Sequence, residues 1–163
     1  VEILSLALPL MALILLIYVI TEQRHLKRIR QLEERLSQAG MNEIDIMKGV
    51  EFEHYLAVIF KKLGYNVKRT PASNDFGADL ILEGKERIVI QAKRYKSKVG
   101  IKAVQEINSA RDYYKAQHAW VITNNYFTSS AYKLAESTNI VLIDRNKLAD
   151  LILNVNDTAK TGN

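Results

Sequence analysis

Two short apolar runs separated by a polar tetrapeptide constrain this chain more than any other feature. Ala78 to Glu83 is one run and Arg87 to Ala92 the other, with Glu83-Gly84-Lys85-Glu86 between them. Aliphatic residues bounded by a short glycine-containing turn predict two antiparallel strands joined as a hairpin. In such a pair the start of one strand lies beside the end of the other. Asp79 opens the first strand, and Gln91 and Lys93 close the second. Gln91 and Lys93 are two residues apart, so they share a face of the sheet. A carboxylate, an amide oxygen and an ammonium are therefore expected to converge at one end of it.

That trio suits metal-assisted phosphodiester hydrolysis. Mg2+ takes hard oxygen ligands and keeps several waters. Asp79 can supply a charged oxygen and Gln91 a neutral one. A cation there can acidify a water and offset charge building on a phosphate. Lys93 can orient that water, help deprotonate it, or stabilise the pentavalent state. The plainer reading, solvated polar residues at strand ends, stands beside this one until other segments are considered.

Those segments are Gly49-Val-Glu-Phe-Glu53 with Leu63-Gly64-Tyr65, Asp75-Phe-Gly-Ala-Asp79, Gln91-Ala-Lys93 and Val121-Ile-Thr-Asn124. In this order the sequence resembles the PD-(D/E)xK nuclease superfamily, and within it the Mrr-like restriction endonuclease catalytic domain, over about residues 43–153. The resemblance implies that Asp79 is the metal-binding aspartate, Gln91 the middle position and Lys93 the catalytic lysine. It implies that Glu53, on the first helix, completes the site as a third metal ligand, and that Gln105 lies near it. Mg2+ is the implied cofactor, with Mn2+ as a substitute, and DNA the implied substrate. Glutamine at 91, where the superfamily usually has Asp or Glu, matches the Mrr-type variant and removes one negative charge from the metal site.

The N-terminal part reads differently. Residues 3–21 contain no charged side chain. As a helix they span roughly 28 Å, close to a bilayer core, and predict a transmembrane anchor over residues 1–21. A cleaved signal peptide fits less well, since Glu2 stands where a basic residue would and no small-x-small site follows. Arg24, Lys27, Arg28 and Arg30 come next, which places the C-terminal part in the cytoplasm of a single-pass membrane protein. Residues 22–41 predict a charged helical linker. Leu26, Ile29, Leu32, Leu36 and Ala39 make a narrow apolar stripe, consistent with a stalk or with a short coiled coil and hence a homodimer. A homodimer through the domain itself is also open.

The domain is expected over residues 42–153, with Asn42 capping its first helix and a helix from Val50 carrying Phe52, Leu56, Ile59, Phe60 and Leu63 on one face. Glu53 flanks that face. A strand follows at 65–70, then a loop in which Asp75 is a turn residue or a group facing the site or DNA, then the hairpin. Gly77 is read as permitting a close backbone or phosphate approach. After Lys93 come a helix over 101–116, a strand at 119–123 and a helix capped by Thr128 or Ser129. A strand at 140–143 and a helix capped by Asp144 complete the domain, and residues 154–163 are expected to be a loose tail. This order predicts an α/β fold, a mixed central sheet flanked by helices on both faces, and the resemblance implies a restriction-endonuclease-like core.

No cysteine is present, which excludes disulfides and thiolate metal sites. The net charge is +5, and residues 41–163 carry 18 Lys and Arg against 14 Asp and Glu. Placement says more than the total. Lys93, Arg94, Lys96, Lys98 and Lys102 fall within ten residues with no acid among them, and Arg94, Lys96, Lys98 and Lys102, with Gln105, are expected to contact DNA. The function these readings support is a membrane-anchored, Mg2+-dependent endodeoxyribonuclease acting at the cytoplasmic face. The alternative is a tethered nucleic-acid-binding protein that keeps the fold without cleavage, and a third reading is an adaptor that binds protein. Asp79 beside Lys93 separates them, because a binding module needs no carboxylate there.

Overall fold

The computed structural model describes residues 2–37, 39–71 and 76–161, with side chains left aside at 2–10, 29–30, 32–37 and 156–161. Two units are distinct, residues 1–36 and residues 37–163. The first is one continuous helix, α1 (Glu2–Ser37). Among the described residues no helix is long and apolar enough to cross a membrane; this gives the expected anchor at 3–21 no support, and its first residues lie outside the described side chains. The described side chains of α1 begin at Met11, and the first charge follows at Glu22. Leu26 is exposed, while most of the stripe read as a coiled-coil seam lies outside the described side chains.

The second unit begins with α2 (Met41–Ile46) and α3 (Gly49–Lys62). Neither starts as the sequence suggests. The Gly40 N–H donates to the Glu43 carboxylate at 2.7 Å, and the Lys48 N–H donates to the Glu51 carboxylate at 2.7 Å. Each acid reaches back three residues to satisfy an N–H that the first turn leaves open, so Glu43 does what was expected of Asn42. Glu51 is thereby a capping residue. Phe52, Tyr55, Leu56, Ile59 and Phe60 of α3 are buried. The Tyr55 hydroxyl donates to the Ala39 carbonyl at 3.1 Å, and burial pushes its pKa well above the ordinary phenol value.

The sheet has five strands in the order β1 (Asn66–Arg69), β2 (Leu80–Glu83), β3 (Ile88–Lys93), β4 (His118–Thr123), β5 (Val141–Ile143). The β1–β2 and β2–β3 pairs are antiparallel, and β3–β4 and β4–β5 are parallel. The expected hairpin is therefore β2–β3, and the mixed sheet forms as the element order predicts. The parallel pairs are joined through α4 (Ile101–Tyr113) and α5 (Ser129–Thr138), and α6 (Arg145–Thr161) closes the chain. Thr128 caps α5, its hydroxyl accepting the Ala131 N–H at 3.2 Å. Asp144 caps α6, accepting from the backbone of Asn146 and Lys147 at 3.1 Å each.

The expected loose tail is helical instead: α6 continues to Thr161. Val155 is buried together with Leu148 and Ile152, which extends the apolar stripe one turn past the predicted end. No glycine or proline interrupts it before Gly162.

The two sheet faces carry different helices. Val89, Ala119 and Val121 pack with Val104 and Ile107 of α4 and Ala131 of α5. Leu80, Leu82 and Ile90 are buried but lie outside that cluster. Phe60 of α3 reaches Trp120 with ring centroids 5.9 Å apart. Because side chains alternate along a strand, Gln91 and Lys93 share the face of Val89, and Asp79 that of Ile81, which packs on the same cluster. All three thus face α4.

Candidate active site

At the end of the sheet where β2 starts and β3 finishes, an open cleft of about 450 Å³ is lined by Phe76, Gly77, Asp79, Gln91, Lys93, Glu106 and Ser109. The hairpin register creates it. Leu80 pairs with Ile90, so Asp79 stands opposite Gln91 one position further on. The Asp79 N–H donates to the Ile90 carbonyl at 2.8 Å, and the Asp79 carboxylate accepts the Ala92 N–H at 2.7 Å. Its carboxylate is thereby held between the two residues it was expected to meet. Lys93 is fixed from the other side, because Thr123 on β4 donates its hydroxyl to the Lys93 carbonyl at 2.6 Å.

The chemistry of the donor set fits a hard divalent cation. Gln91 is 3% exposed, and its Nε2 donates to Glu106 Oε2 at 2.8 Å. That bond assigns the amide, since a carboxylate accepts only from the nitrogen end. Gln91 Oε1 is left buried with no partner. An orphaned buried carbonyl oxygen beside an aspartate is costly unless something binds it. Among the described residues no three His, Cys, Asp or Glu side chains converge on a metal position. A cation here would accordingly rest on Asp79 and the Gln91 oxygen, completed by water.

Glu106 enters this cleft although sequence reasoning pointed to its neighbour. Its Oε2 accepts from Gln91 and also from Lys93 Nζ at 3.1 Å, and Lys102 Nζ lies 3.8 Å from its Oε1. Burial pushes the Glu106 carboxyl pKa up. Hydrogen bonds from Gln91 and Lys93 and the charges of Lys93 and Lys102 more than offset that, leaving it below the ordinary value. Gln105 is exposed and does not line the cleft. One residue along a helix turns the side chain by about 100°. The signal that would have chosen Glu106 is its spacing from Ala103 and Ala110, the two small buried residues on the docking face of α4.

Gly77 brings α4 close. Its φ is +90°, and a Cβ there would lie 3.0 Å from Glu106 Cβ and 3.1 Å from the Glu106 carbonyl oxygen. The neighbouring Phe76 ring stacks on Tyr113 of α4 at 3.8 Å between centroids. The expected close approach at Gly77 is thus made by helix backbone. Asp75 lies outside the described residues.

Glu53 is placed elsewhere. It belongs to α3, on the opposite face, and pairs with Arg69 at 3.5 Å. Arg69 is opposite Leu80 in the β1–β2 register and shares that face. Glu53 is near this end of the sheet but does not line the cleft.

The basic cluster divides as well. Lys96 and Lys98 are exposed, and the Lys102 side chain is 87% exposed. Arg94 turns inward, half-buried, with Nη1 donating to the Asp45 carbonyl at 3.4 Å. It meets a network that holds the loop after Lys93. Asp45 accepts from Arg145 Nη1 at 2.7 Å and Nη2 at 2.8 Å, and from Asn124 Nδ2 at 2.9 Å. Asn124 Oδ1 accepts the Tyr95 N–H at 2.9 Å.

The Arg145 hydrogen bond holds the Asp45 carboxyl below its ordinary value of 3.8, against burial and with help from Asn124, Arg145 and Arg94. The folded chain therefore binds fewer protons here than the unfolded one. The resulting stability is present above the unfolded pKa and is lost as pH falls through the folded one. Asp45→Asn is expected to melt below wild type at neutral pH, with the gap closing on acidification below about pH 4. A gap independent of pH contradicts this account of Asp45.

The model of the family Mrr_cat, restriction endonuclease, matches residues 44–152. The chain belongs to that family. The match covers α3 through the first two turns of α6 and contains every residue lining the cleft. The type IV methyl-directed restriction enzyme EcoKMrr of Escherichia coli (strain K12) is 26% identical over 135 residues, covering 77% of this chain and 44% of the enzyme. The chain therefore spans less than half the length of that relative. Among solved structures, the DNA modification-dependent restriction endonuclease AspBHI superposes with a TM-score of 0.55 at 17% identity, over 78% of this chain and 36% of that one. AF1548, a protein of unknown function, gives a TM-score of 0.50 at 20% identity over 56% and 55% of the two chains. At these identities the likeness is one of fold, and the Mrr_cat core is a restriction-endonuclease-like mixed sheet.

Proposed function

We propose that this Mrr_cat domain is a divalent-cation-dependent endonuclease that hydrolyses phosphodiester bonds in DNA. The observation that carries the reading is the orphaned Gln91 Oε1, buried beside Asp79 in a cleft that also holds Lys93. Asp79 and Gln91 would hold Mg2+ or Mn2+, which supplies positive charge to the phosphate and to its attacking water. Lys93 Nζ, anchored on Glu106, can hold the water by a hydrogen bond or donate to a phosphate oxygen as charge grows there. The open cleft admits a polymer backbone. DNA as the substrate is supported by the likeness to EcoKMrr and AspBHI, both restriction enzymes.

The exposed Lys96, Lys98 and Lys102 follow Lys93 directly and would grip phosphates flanking the scissile one. Arg94, turned toward Asp45, would steady that loop instead. Replacing the three lysines by alanine is expected to weaken duplex binding at every salt concentration. It should also make the slope of log affinity against log salt shallower by about 2 to 3, near 0.9 for each phosphate no longer gripped. Fluorescence anisotropy on a duplex of arbitrary sequence reads both, and an unchanged slope would place the DNA track elsewhere.

The activity itself is tested with the full chain on supercoiled plasmid, methylated and unmethylated, with Mg2+ or Mn2+ and with chelator. Cation-dependent nicking is expected. DNA binding without nicking on any substrate would instead favour a binding protein built on the same fold.

A further inference from the structure

Glutamine at 91 leaves the cleft one negative charge short of two carboxylates, and Glu53, the acid expected as a third metal ligand, is paired with Arg69 on the far face of the sheet. The charge comes from α4. Glu106 Oε2 accepts from both Gln91 Nε2 and Lys93 Nζ, so a single oxygen ties together two of the three residues that define the site. Its backbone is pressed against Gly77, two residues before Asp79. Ser109, one turn further along α4, lines the same cleft.

We infer that Glu106 is the positioning carboxylate of this cleft: it turns the Gln91 amide so that Oε1 faces the cation held with Asp79, and it supplies the negative charge that glutamine at 91 lacks. The inference rests on the reading of the cleft as a cation site in a nuclease. Without Glu106 the Asp79 carboxylate, opposite Gln91 in the hairpin register, would draw the amide N–H toward itself, and an N–H turned that way would repel a cation. With Glu106 in place the amide is fixed by a charge-assisted hydrogen bond, the stronger kind. Lys93 is held by the same oxygen, which keeps its ammonium from occupying the position of the cation. Glu106 acts through Gln91 and Lys93 and is not assigned to the reacting atoms.

The test is Mn2+ binding to the full chain in the absence of DNA, read from loss of the free Mn2+ electron paramagnetic resonance signal, with cleavage and melting followed in parallel. Glu106→Gln is expected to raise the apparent Mn2+ Kd at least tenfold while melting remains cooperative. The double variant Gln91→Glu with Glu106→Gln returns the charge to the cleft and reverses the donor and acceptor between the two positions. It is expected to recover Mn2+ affinity to within about threefold of wild type, which a merely structural brace would not do. Should Glu106→Gln fail to fold, Glu106→Asp, which keeps the charge one methylene further back, and the double variant give the same comparison.

Wild-type Mn2+ affinity in Glu106→Gln overturns the inference. So does a double variant as weak as the single one, and so does a wild-type chain that binds no Mn2+ at millimolar concentration. Mn2+ binding that depends on Glu106 in a chain that does not cut DNA supports the inference and removes the nuclease reading. Cation-dependent cutting indifferent to Glu106 does the reverse.

Discussion

Asp79→Asn is expected to lower the rate of cation-dependent nicking by about 10³-fold or more while the protein stays folded. The substitution keeps shape and an oxygen able to accept the Ala92 N–H, the 2.7 Å bond that ties the start of β2 to the end of β3. It removes the only charge that Asp79 brings to the cation. Metal charge placed against a phosphate is worth several kcal/mol of transition-state stabilisation, and about 1.4 kcal/mol is tenfold in rate. Lys93→Ala should cost about 10²- to 10³-fold, in line with losing one preorganised donor in a catalytic site. The two should differ in the metal titration. Asp79→Asn shifts it to higher Mg2+ or Mn2+, whereas Lys93→Ala lowers the plateau with little change in the midpoint. Cleavage that survives either variant at more than about a tenth of the wild-type rate would take the chemistry out of this cleft.

Gly77→Ala is expected to be the most damaging single substitution outside the hydrophobic core. The backbone there has φ +90°, a conformation that side chains other than glycine rarely adopt. The added methyl would meet Glu106 Cβ at 3.0 Å and the Glu106 backbone at 3.1 to 3.2 Å, and helix backbone cannot swing aside as a side-chain tip can. Strain of this kind costs roughly 2 to 3 kcal/mol. Relief requires α4 to withdraw from the turn, which lengthens the Gln91–Glu106 and Lys93–Glu106 contacts. Stability and activity should fall together, read by chemical denaturation and by nicking on one preparation. A variant of wild-type stability would show that the turn and α4 are not in the contact described.

Much of this site is legible in the amino-acid sequence. The hairpin, the facing of Gln91 and Lys93 and the meeting with Asp79 follow from strand alternation and antiparallel register, which are local rules. The remainder is set by residues distant in the chain. Ile101 lies at helical spacing from Val104 yet is 41% exposed, while Ala103 and Ala110 are buried beside Val104 and Ile107 on the docking face. That small rotation separates Gln105 from Glu106. Arg94 sits in a basic run, but its surroundings are fixed by Asp45, far away in sequence, and nothing local reports that. Glu53 lies on a helix whose side of the sheet cannot be read from its own periodicity. The helical continuation past Leu153 hinges on Val155, one buried residue in an otherwise polar segment.

The central claim is that the cleft of Asp79, Gln91 and Lys93 cuts DNA with a bound cation. The most direct measurement is nicking of supercoiled plasmid by the full chain and by Lys93→Ala, purified in parallel and assayed with Mn2+. Lys93→Ala retains Asp79 and Gln91, so it keeps the cation donors while losing the ammonium, and it exposes any contaminating nuclease. Nicking by wild type is expected, abolished by chelator and lowered at least about 10²-fold in Lys93→Ala. Equal nicking by the two proteins, or none by wild type with DNA binding intact, would contradict the claim.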